Sequence, residues 1–173
     1  MIEEVERSLR KRLRDGEAFD RLVEEHYDDV LAYCRRHAPS YDDASDVAQE
    51  AFLRFVRSGR SPDEGKPLAY LFTIARNLCI DAARARRPLC VPLDVEVPDR
   101  SPDVDPASSI GGVGALVEVL DPELREAVEL RFDQGFKVGE IASVLGVSRF
   151  AVNRRINRAL AELRRGLEGG KGV

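Results

Sequence analysis

The sequence predicts an all-α protein in which two small helical domains are joined by a flexible acidic linker. Three observations lead to this fold class. Apolar residues recur at helical spacing along most of the chain, the sequence lacks the alternation typical of a strand, and a segment rich in proline and glycine divides the helical parts. Of the 173 residues, 43% are hydrophobic, which is enough for two small cores.

The first domain is predicted to span residues 1–90 and to contain four helices. Its apolar stripes place these helices at about residues 2–13, 19–34, 44–56 and 68–87. Asp15 and Gly16 are expected to end the first helix, and Pro39 to close the second. The residues expected to face the core from the third and fourth helices are Ala44, Val47, Ala48, Ala51, Phe52, Phe55, Val56, Leu68, Leu71, Ala75, Leu78 and Ala82.

Composition predicts the linker. Residues 88–114 contain five prolines and three glycines, which oppose both a helix and a packed core. We place the linker at 91–113, the second domain at 114–168 and a disordered tail at 169–173. The acids of the linker are Asp94, Glu96, Asp99, Asp103 and Asp105.

The second domain is predicted to end in two helices separated by a glycine turn. Asp121 and Pro122 open a helix that precedes another at 138–145. Gly146 is expected to make the turn, and Ser148 to cap a final helix. The residues predicted to be buried on that helix are Val152, Ile156, Leu160 and Leu163.

This final helix is the clearest candidate for a DNA-binding element. Residues 149–165 carry six basic residues and one acid in a chain whose net charge is −4. Arginine and asparagine can make paired hydrogen bonds to guanine and adenine edges in the major groove. A solvated charged face is the alternative interpretation. The candidate residues for duplex DNA are Ser148, Arg149, Asn153, Arg154, Asn157 and Arg158.

The third helix carries an acidic face opposite its apolar stripe. The residues on this face are Asp43, Asp46, Gln49, Glu50 and Arg54. Such a face repels DNA, so it is expected to bind another partner, unless it is simply a hydrated surface.

The fourth helix has a face suited to single-stranded DNA, where aromatic rings stack on bases and cations hold the backbone. Tyr70 and Phe72 could instead be core residues. The residues at helical spacing on this face are Tyr70, Thr73, Asn77, Asp81 and Arg84, and nearby bases are Arg76, Arg86 and Arg87.

Three motifs resemble those of one family. The stretch LDPELREAVELRFDQGFKVGEIASVLGVSRFAVNRRINRALAELRRGL resembles region four of bacterial extracytoplasmic-function (ECF, group IV) sigma factors. DDASDVAQEAFLRFV resembles region 2.2 of that family, and PLAYLFTIARNLCIDAARARR resembles regions 2.3 and 2.4. The motifs occur in the family order and cover nearly the whole chain.

The resemblance implies a role for each part. Residues 1–90 would be sigma region 2, in which Asp43, Asp46, Gln49 and Glu50 bind the clamp helices of the largest subunit of RNA polymerase. The face that begins at Tyr70, together with the preceding loop from Ser58 to Lys66, would capture the −10 element as it melts. Residues 114–168 would be region 4, which recognises the −35 element of the promoter and binds the beta flap of the polymerase. An anti-sigma factor is a possible further partner.

The linker has a geometric role in this interpretation. Its 23 residues at 91–113 extend to about 76 Å at most, while two turns of DNA cover roughly 70 Å. Both domains can therefore reach sites on one face of the DNA. By resemblance, the linker acids mimic nucleic acid inside a basic channel of the polymerase. A solvated tether is the alternative.

The sequence departs from the family pattern at two places. After Ser148, the family usually has a small residue, Thr, Val and a basic residue, where this chain has Phe150, Ala151, Val152 and Asn153. Tyr70 stands where the family commonly has Trp. Two other functions stay open: a LuxR-type regulator that binds duplex operators without polymerase, and an interaction protein that acts as an anti-sigma decoy.

Several other functions are not expected. The sequence contains neither a long apolar stretch nor a signal peptide, and Cys34, Cys79 and Cys90 show no disulfide spacing, so we expect a cytoplasmic protein without membrane insertion. His26 and His37 lie about 16 Å apart along a helix, too far to share a metal ion. We expect no metal, no cofactor and no enzymatic activity, because phosphate-binding loops and nucleophile motifs are missing from the sequence.

Overall fold

A computed structural model of the protein describes residues 2–63, 65–86 and 113–169. Within those ranges the chain forms seven α-helices and no strand, which confirms the all-α class. The chain divides into two compact units, Met1–Pro88 and Leu89–Val173. None of the described helices is long and apolar enough to cross a membrane.

The first unit is built from three helices, α1 (Ile2–His37), α2 (Tyr41–Arg57) and α3 (Pro67–Ala85), each of which packs against the other two. Aromatic rings join them in the core. The ring of Tyr33 on α1 lies edge-on to Phe72 of α3 at 5.3 Å between centroids, and Tyr27 stacks on Phe52 of α2 at 5.9 Å.

The predicted helix end at Asp15 and Gly16 is wrong, because α1 continues through both residues. Glycine ends a helix when it takes a left-handed conformation, and Gly16 does not have a positive φ. In a helix interior it costs only about 1 kcal/mol relative to alanine. Burial of Ala18 and Leu22 directly after it favours continuation. The described residues of this unit therefore form three helices where the sequence predicted four.

Local signals set the starts of α2 and α3. The Oγ atom of Ser40 accepts a hydrogen bond from the backbone N–H of Asp43 at 3.3 Å and so caps α2. Pro67 occupies the first turn of α3, where its missing N–H has no helical partner to lose. Leu68 and Ala82, expected in the core, are only half-buried. The residues of α3 that are buried are Ala69, Leu71, Phe72, Ala75, Leu78 and Cys79.

The second unit contains α4 (Val113–Val119), α5 (Pro122–Phe132), α6 (Val138–Leu145) and α7 (Arg149–Gly169). The sequence did not predict α4, which has seven residues and begins at the last residue assigned to the linker. Such a short helix gains its stability from packing. Leu116 and Val117 of α4 pack on a cluster that comprises Leu120, Leu124, Val128, Ala159 and Leu163.

One buried position on α7 was predicted incorrectly. Leu160 is 43% exposed, whereas Ala159 is fully buried. A helix turns about 100° per residue, so two successive steps of four residues place Leu160 about 80° away from Val152, whereas Ala159, seven residues after Val152, lies within about 20° of it. The core spacing of α7 is therefore Val152, Ile156, Ala159 and Leu163.

Some predictions fall on residues outside the described part of the chain. These are the linker up to residue 112 with its acids, Arg87, Cys90 and residues 170–173. Gly169, the first residue of the predicted tail, is the last residue of α7.

Candidate nucleic-acid interface

The helix-turn-helix of the second unit is fixed by local hydrogen bonds. The carboxylate of Glu140 accepts the backbone N–H of Lys137 at 2.7 Å at the start of α6. Gly146, with a φ of 66°, ends α6 in the left-handed conformation. The Oγ of Ser148 then accepts the N–H of Ala151 at 3.2 Å and caps α7. The turn and the cap predicted from the sequence are confirmed.

Helix α7 has one buried and one exposed face. Val152 is fully buried and Ile156 nearly so, and α7 packs through this side against α5 and α6. The opposite face is open to solvent and rich in hydrogen-bond donors. It carries all six residues proposed for duplex DNA, Ser148, Arg149, Asn153, Arg154, Asn157 and Arg158, each of which is exposed.

The arginines of α7 have different surroundings. Arg155 is half-buried, and its guanidinium forms an ion pair with Glu123 of α5 at 2.5 Å, so it ties α7 to α5. The Nε of Arg158 donates to Glu162 at 3.0 Å. The side chain of Arg149 lies over Gly139 of α6, where an added Cβ would come within 3.2 Å of its Nε. Arg154 is exposed.

The acidic face of α2 is partly neutralised by its own neighbours. Asp43 pairs with Arg86 at 2.7 Å, just beyond the end of α3. Glu50 accepts a hydrogen bond from the Nε of Arg54 at 2.8 Å. This bond, together with the nearby charge of Arg57, lowers the pKa of Glu50 despite an opposing contribution from desolvation.

Two apolar residues complete this face of α2. Leu53 and Val56 are each about half exposed, and with Asp46 and Gln49, both exposed, they follow at helical spacing. Val56 was expected in the core, and that expectation is wrong: it lies seven residues, about two turns, beyond Gln49 and so on the same side of α2 as Gln49. Neither residue was predicted on this face, because Val56 was assigned to the apolar stripe beside it and Leu53 was assigned to no face.

Tyr70 on α3 is half-buried between two side chains. Its ring meets that of Phe55 at 5.9 Å between centroids, and the guanidinium of Arg60 lies over it at 4.1 Å. Phe72, by contrast, is fully buried, so its interpretation as a core residue is confirmed. Arg60 lies in the loop from Ser58 to Lys66 that was expected to take part in capturing the −10 element, but its contact with Tyr70 was not predicted, because the two residues are ten positions apart in the sequence.

The other residues proposed for single-stranded DNA spread along α3. The hydroxyl of Thr73 donates to the carbonyl of Ala69 at 2.8 Å within the helix. Asn77 and Arg84 are exposed, and Arg76 is half-buried. Arg84 also approaches Asp81 at 4.0 Å. Lys66 is exposed immediately before α3. The helical spacing thus places Tyr70, Asn77 and Arg84 along one side of α3.

The cysteines of the first unit belong to its core. Cys34 and Cys79 are buried. A hydrogen bond with Cys79 and burial raise the pKa of the Cys34 thiol far above its usual range, so it stays protonated. Within the described residues, no group of three or more potential ligands is placed to hold a metal ion.

The chain matches two family models, Sigma-70 region 2 over residues 22–88 and Sigma-70 region 4 over residues 111–163. It is 34% identical to the ECF RNA polymerase sigma factor SigE of Mycolicibacterium smegmatis over 155 residues, which cover 85% of the chain and 60% of that relative. It is 32% identical to the ECF RNA polymerase sigma factor SigM of Mycobacterium tuberculosis, over 87% of the chain and 78% of that protein. The chain belongs to the ECF family of RNA polymerase sigma factors.

A solved structure also resembles this ECF sigma factor. CnrH, in complex with the cytosolic domain of CnrY, aligns with a TM-score of 0.62 and 27% identity over 92% of the chain and 97% of CnrH. The region 2 match covers residues 22–88, which include the second part of α1 together with α2 and α3, whereas the LuxR-type interpretation rested on the helix-turn-helix alone. The chain spans only 60% of the length of the SigE relative.

Proposed function

We propose that this protein is a group IV sigma factor that binds core RNA polymerase, directs it to promoters through their −10 and −35 elements, and assists promoter melting. In this proposal it works in the bacterial cytoplasm. It contributes no catalytic step and needs no cofactor, since the polymerase supplies the chemistry. Residues 1–90 act as region 2, residues 91–113 as the linker, and residues 114–168 as region 4.

The observation that carries this proposal is the two-sided recognition helix. Val152 and Ile156 anchor one side of α7 in the core, while arginine and asparagine side chains cover the other. A helix held in this way by a preceding helix and turn fits the major groove, where arginine pairs with guanine and asparagine with adenine. We therefore assign the −35 element to Ser148, Arg149, Asn153, Arg154, Asn157 and Arg158.

The polymerase surface is assigned to α2. Asp46 and Gln49 are exposed beside the apolar side chains of Leu53 and Val56. A mixed acidic and apolar face repels DNA and complements a partner that offers both cations and apolar surface. We propose that this partner is the clamp-helix coiled coil of the largest subunit, with Asp43 and Glu50 at the same surface. Region 4 docks separately, on the beta flap.

The −10 element is assigned to α3 and the loop before it. Unstacking duplex DNA costs about 1.4 kcal/mol per step, and one stacked base returns roughly 1 to 3 kcal/mol. Two captured bases can therefore hold a short bubble open, although they cannot start it. The free protein is accordingly expected to bind promoters poorly without the polymerase. The residues assigned to capture are Lys66, Tyr70, Thr73, Arg76, Asn77 and Arg84.

Regulation by a protein partner is part of the proposal. The similar CnrH structure contains the cytosolic domain of another protein, CnrY. We propose that an anti-sigma factor holds this chain in an inactive state in a comparable way. The test is whether a candidate anti-sigma factor blocks transcription and is displaced by added core polymerase.

Transcription with purified core polymerase tests the main proposal. The full chain should give promoter-specific transcripts from a panel of genomic fragments, and the Asp46→Arg variant should lose most of its affinity for core polymerase. Asp20→Arg reverses an exposed acid on α1 and serves as the matched control. Operator binding without any need for polymerase would instead indicate a LuxR-like regulator, and partner binding without DNA binding a decoy.

A further inference from the structure

Phe150 is a large apolar residue on the exposed face of the recognition helix. It is the second residue of α7, and 75% of its surface is open to solvent. Val152, two residues further along the helix and so on its opposite side, is fully buried. Phe150 is therefore not a core residue of the second unit.

The surroundings of Phe150 are cationic. Arg154 and Arg158 follow at intervals of four residues and so share its side of the helix. Arg149 precedes it directly, and the capping residue Ser148 is also exposed. An apolar protein surface would have to bury these charges in order to reach the phenyl ring, which is costly without paired acids. In a DNA groove, the phosphates pair with these cations, and the base edges still present an apolar group.

That apolar group is the C5-methyl of thymine. In the major groove it is the only apolar substituent on the base edges, and phenylalanine is one of the side chains that contact it. The N-terminal residues of a recognition helix contact base edges, and Phe150 lies in the first turn of α7, which Ser148 caps.

We propose that Phe150 is a specificity-determining residue that selects thymine in the −35 element through contact with the C5-methyl group. The proposal rests on the function proposed above and deepens it, because it names one chemical feature of the promoter. Arg149 and Asn153 supply hydrogen bonds to neighbouring base edges, while Phe150 supplies the apolar contact.

The experiment compares thymine with deoxyuracil, which lacks only the methyl group. Holoenzyme made from the full chain and core polymerase first selects active promoters from a library randomised across the −35 element. Thymine at a shared position is expected for the original protein, and Phe150→Ala should lose that preference. Replacing this thymine by deoxyuracil should weaken promoter binding about fourfold, the effect of one buried methyl group.

Three variants isolate the methyl contact. Phe150→Ala should bind the thymine and deoxyuracil promoters equally, whereas Phe150→Leu, which keeps an apolar side chain, should retain part of the difference. Phe132→Ala removes another exposed phenylalanine, at the end of α5, and should leave the difference unchanged. Circular dichroism checks that each variant is folded.

The outcomes separate the two proposals. If the holoenzyme gives no promoter-specific transcript, the sigma function fails and the inference fails with it. If transcription is specific but the selected elements share no thymine, only the role of Phe150 is overturned. The role of Phe150 is also overturned if deoxyuracil weakens promoter binding by the original protein and by Phe150→Ala to the same extent.

Discussion

The guanidinium carbon of Arg60 lies 4.1 Å from the centroid of the Tyr70 ring. Arg60 thus covers the ring that we assign to stacking on an unpaired base, while Phe55 contacts the same ring from the core. A base can stack on that face of Tyr70 only after Arg60 moves aside. The free protein therefore holds the proposed capture site covered.

This relationship predicts opposite effects for two substitutions. Tyr70→Ala should weaken binding of holoenzyme to single-stranded −10 DNA by roughly 1 to 3 kcal/mol, and Tyr70→Phe should largely preserve it. Arg60→Ala should strengthen binding by up to about 1 kcal/mol, the value of an exposed cation–π contact. Fluorescence anisotropy with labelled oligonucleotides measures both. Weaker binding by Arg60→Ala would show that Arg60 holds the strand.

Substitution of two neighbouring arginines on α7 should change the salt dependence of promoter binding to different extents. If about four arginines of α7 contact phosphates, they contribute near −3.6 to the slope of log affinity against log salt concentration. Arg154→Ala should reduce the magnitude of the slope for promoter binding by holoenzyme by about 0.9. Arg155→Ala should leave the slope unchanged, because Arg155 pairs with Glu123, and should cost at most about 1 kcal/mol of stability. Equal slope changes for both variants would contradict this assignment.

The carboxylate of Glu50 should titrate below its ordinary pKa of 4.5. Since the pKa is depressed in the folded state, ionised Glu50 stabilises the fold above pH 4.5, and this stabilisation is lost as the pH falls through the folded-state pKa. Arg54→Gln should raise the pKa toward 4.5, and Arg21→Gln, on α1, should not. Carbon-detected NMR titration of the side-chain carboxyls reads out the values. A Glu50 pKa that is unaffected by Arg54→Gln would exclude the hydrogen bond as the cause.

Replacing each of two glycines by alanine should change the stability of the protein in opposite directions. Gly16 lies inside α1 with open space around it, so Gly16→Ala should stabilise the protein by about 0.5 to 1 kcal/mol. Gly146 has a φ of 66°, so Gly146→Ala should destabilise it by roughly 1 to 2 kcal/mol. Thermal unfolding of the full chain measures both. A destabilising Gly16→Ala would argue that the chain bends at this residue.

Local patterns predicted much of this protein, because short-range hydrogen bonds and backbone conformations depend on a few adjacent residues. Gly146, Ser148 and Asp121 each gave the correct turn or cap from the sequence. The helical class and the two-sided character of α7 followed from apolar spacing. The same kind of signal was wrong at Gly16, because glycine permits a helix end without requiring one.

The sequence by itself determined the helices, the helix-turn-helix and the charged faces, because each depends on spacing along one element. Only the tertiary structure decided which charged side chains are paired within the protein, as Asp43 is with Arg86 and Arg155 with Glu123. It also decided that Arg60 covers the ring of Tyr70. It also decided that Leu160 and Val56 are exposed and that α4 forms. The physical reason is that these contacts join residues far apart in the chain, so they exist only once helices pack at a particular angle and depth.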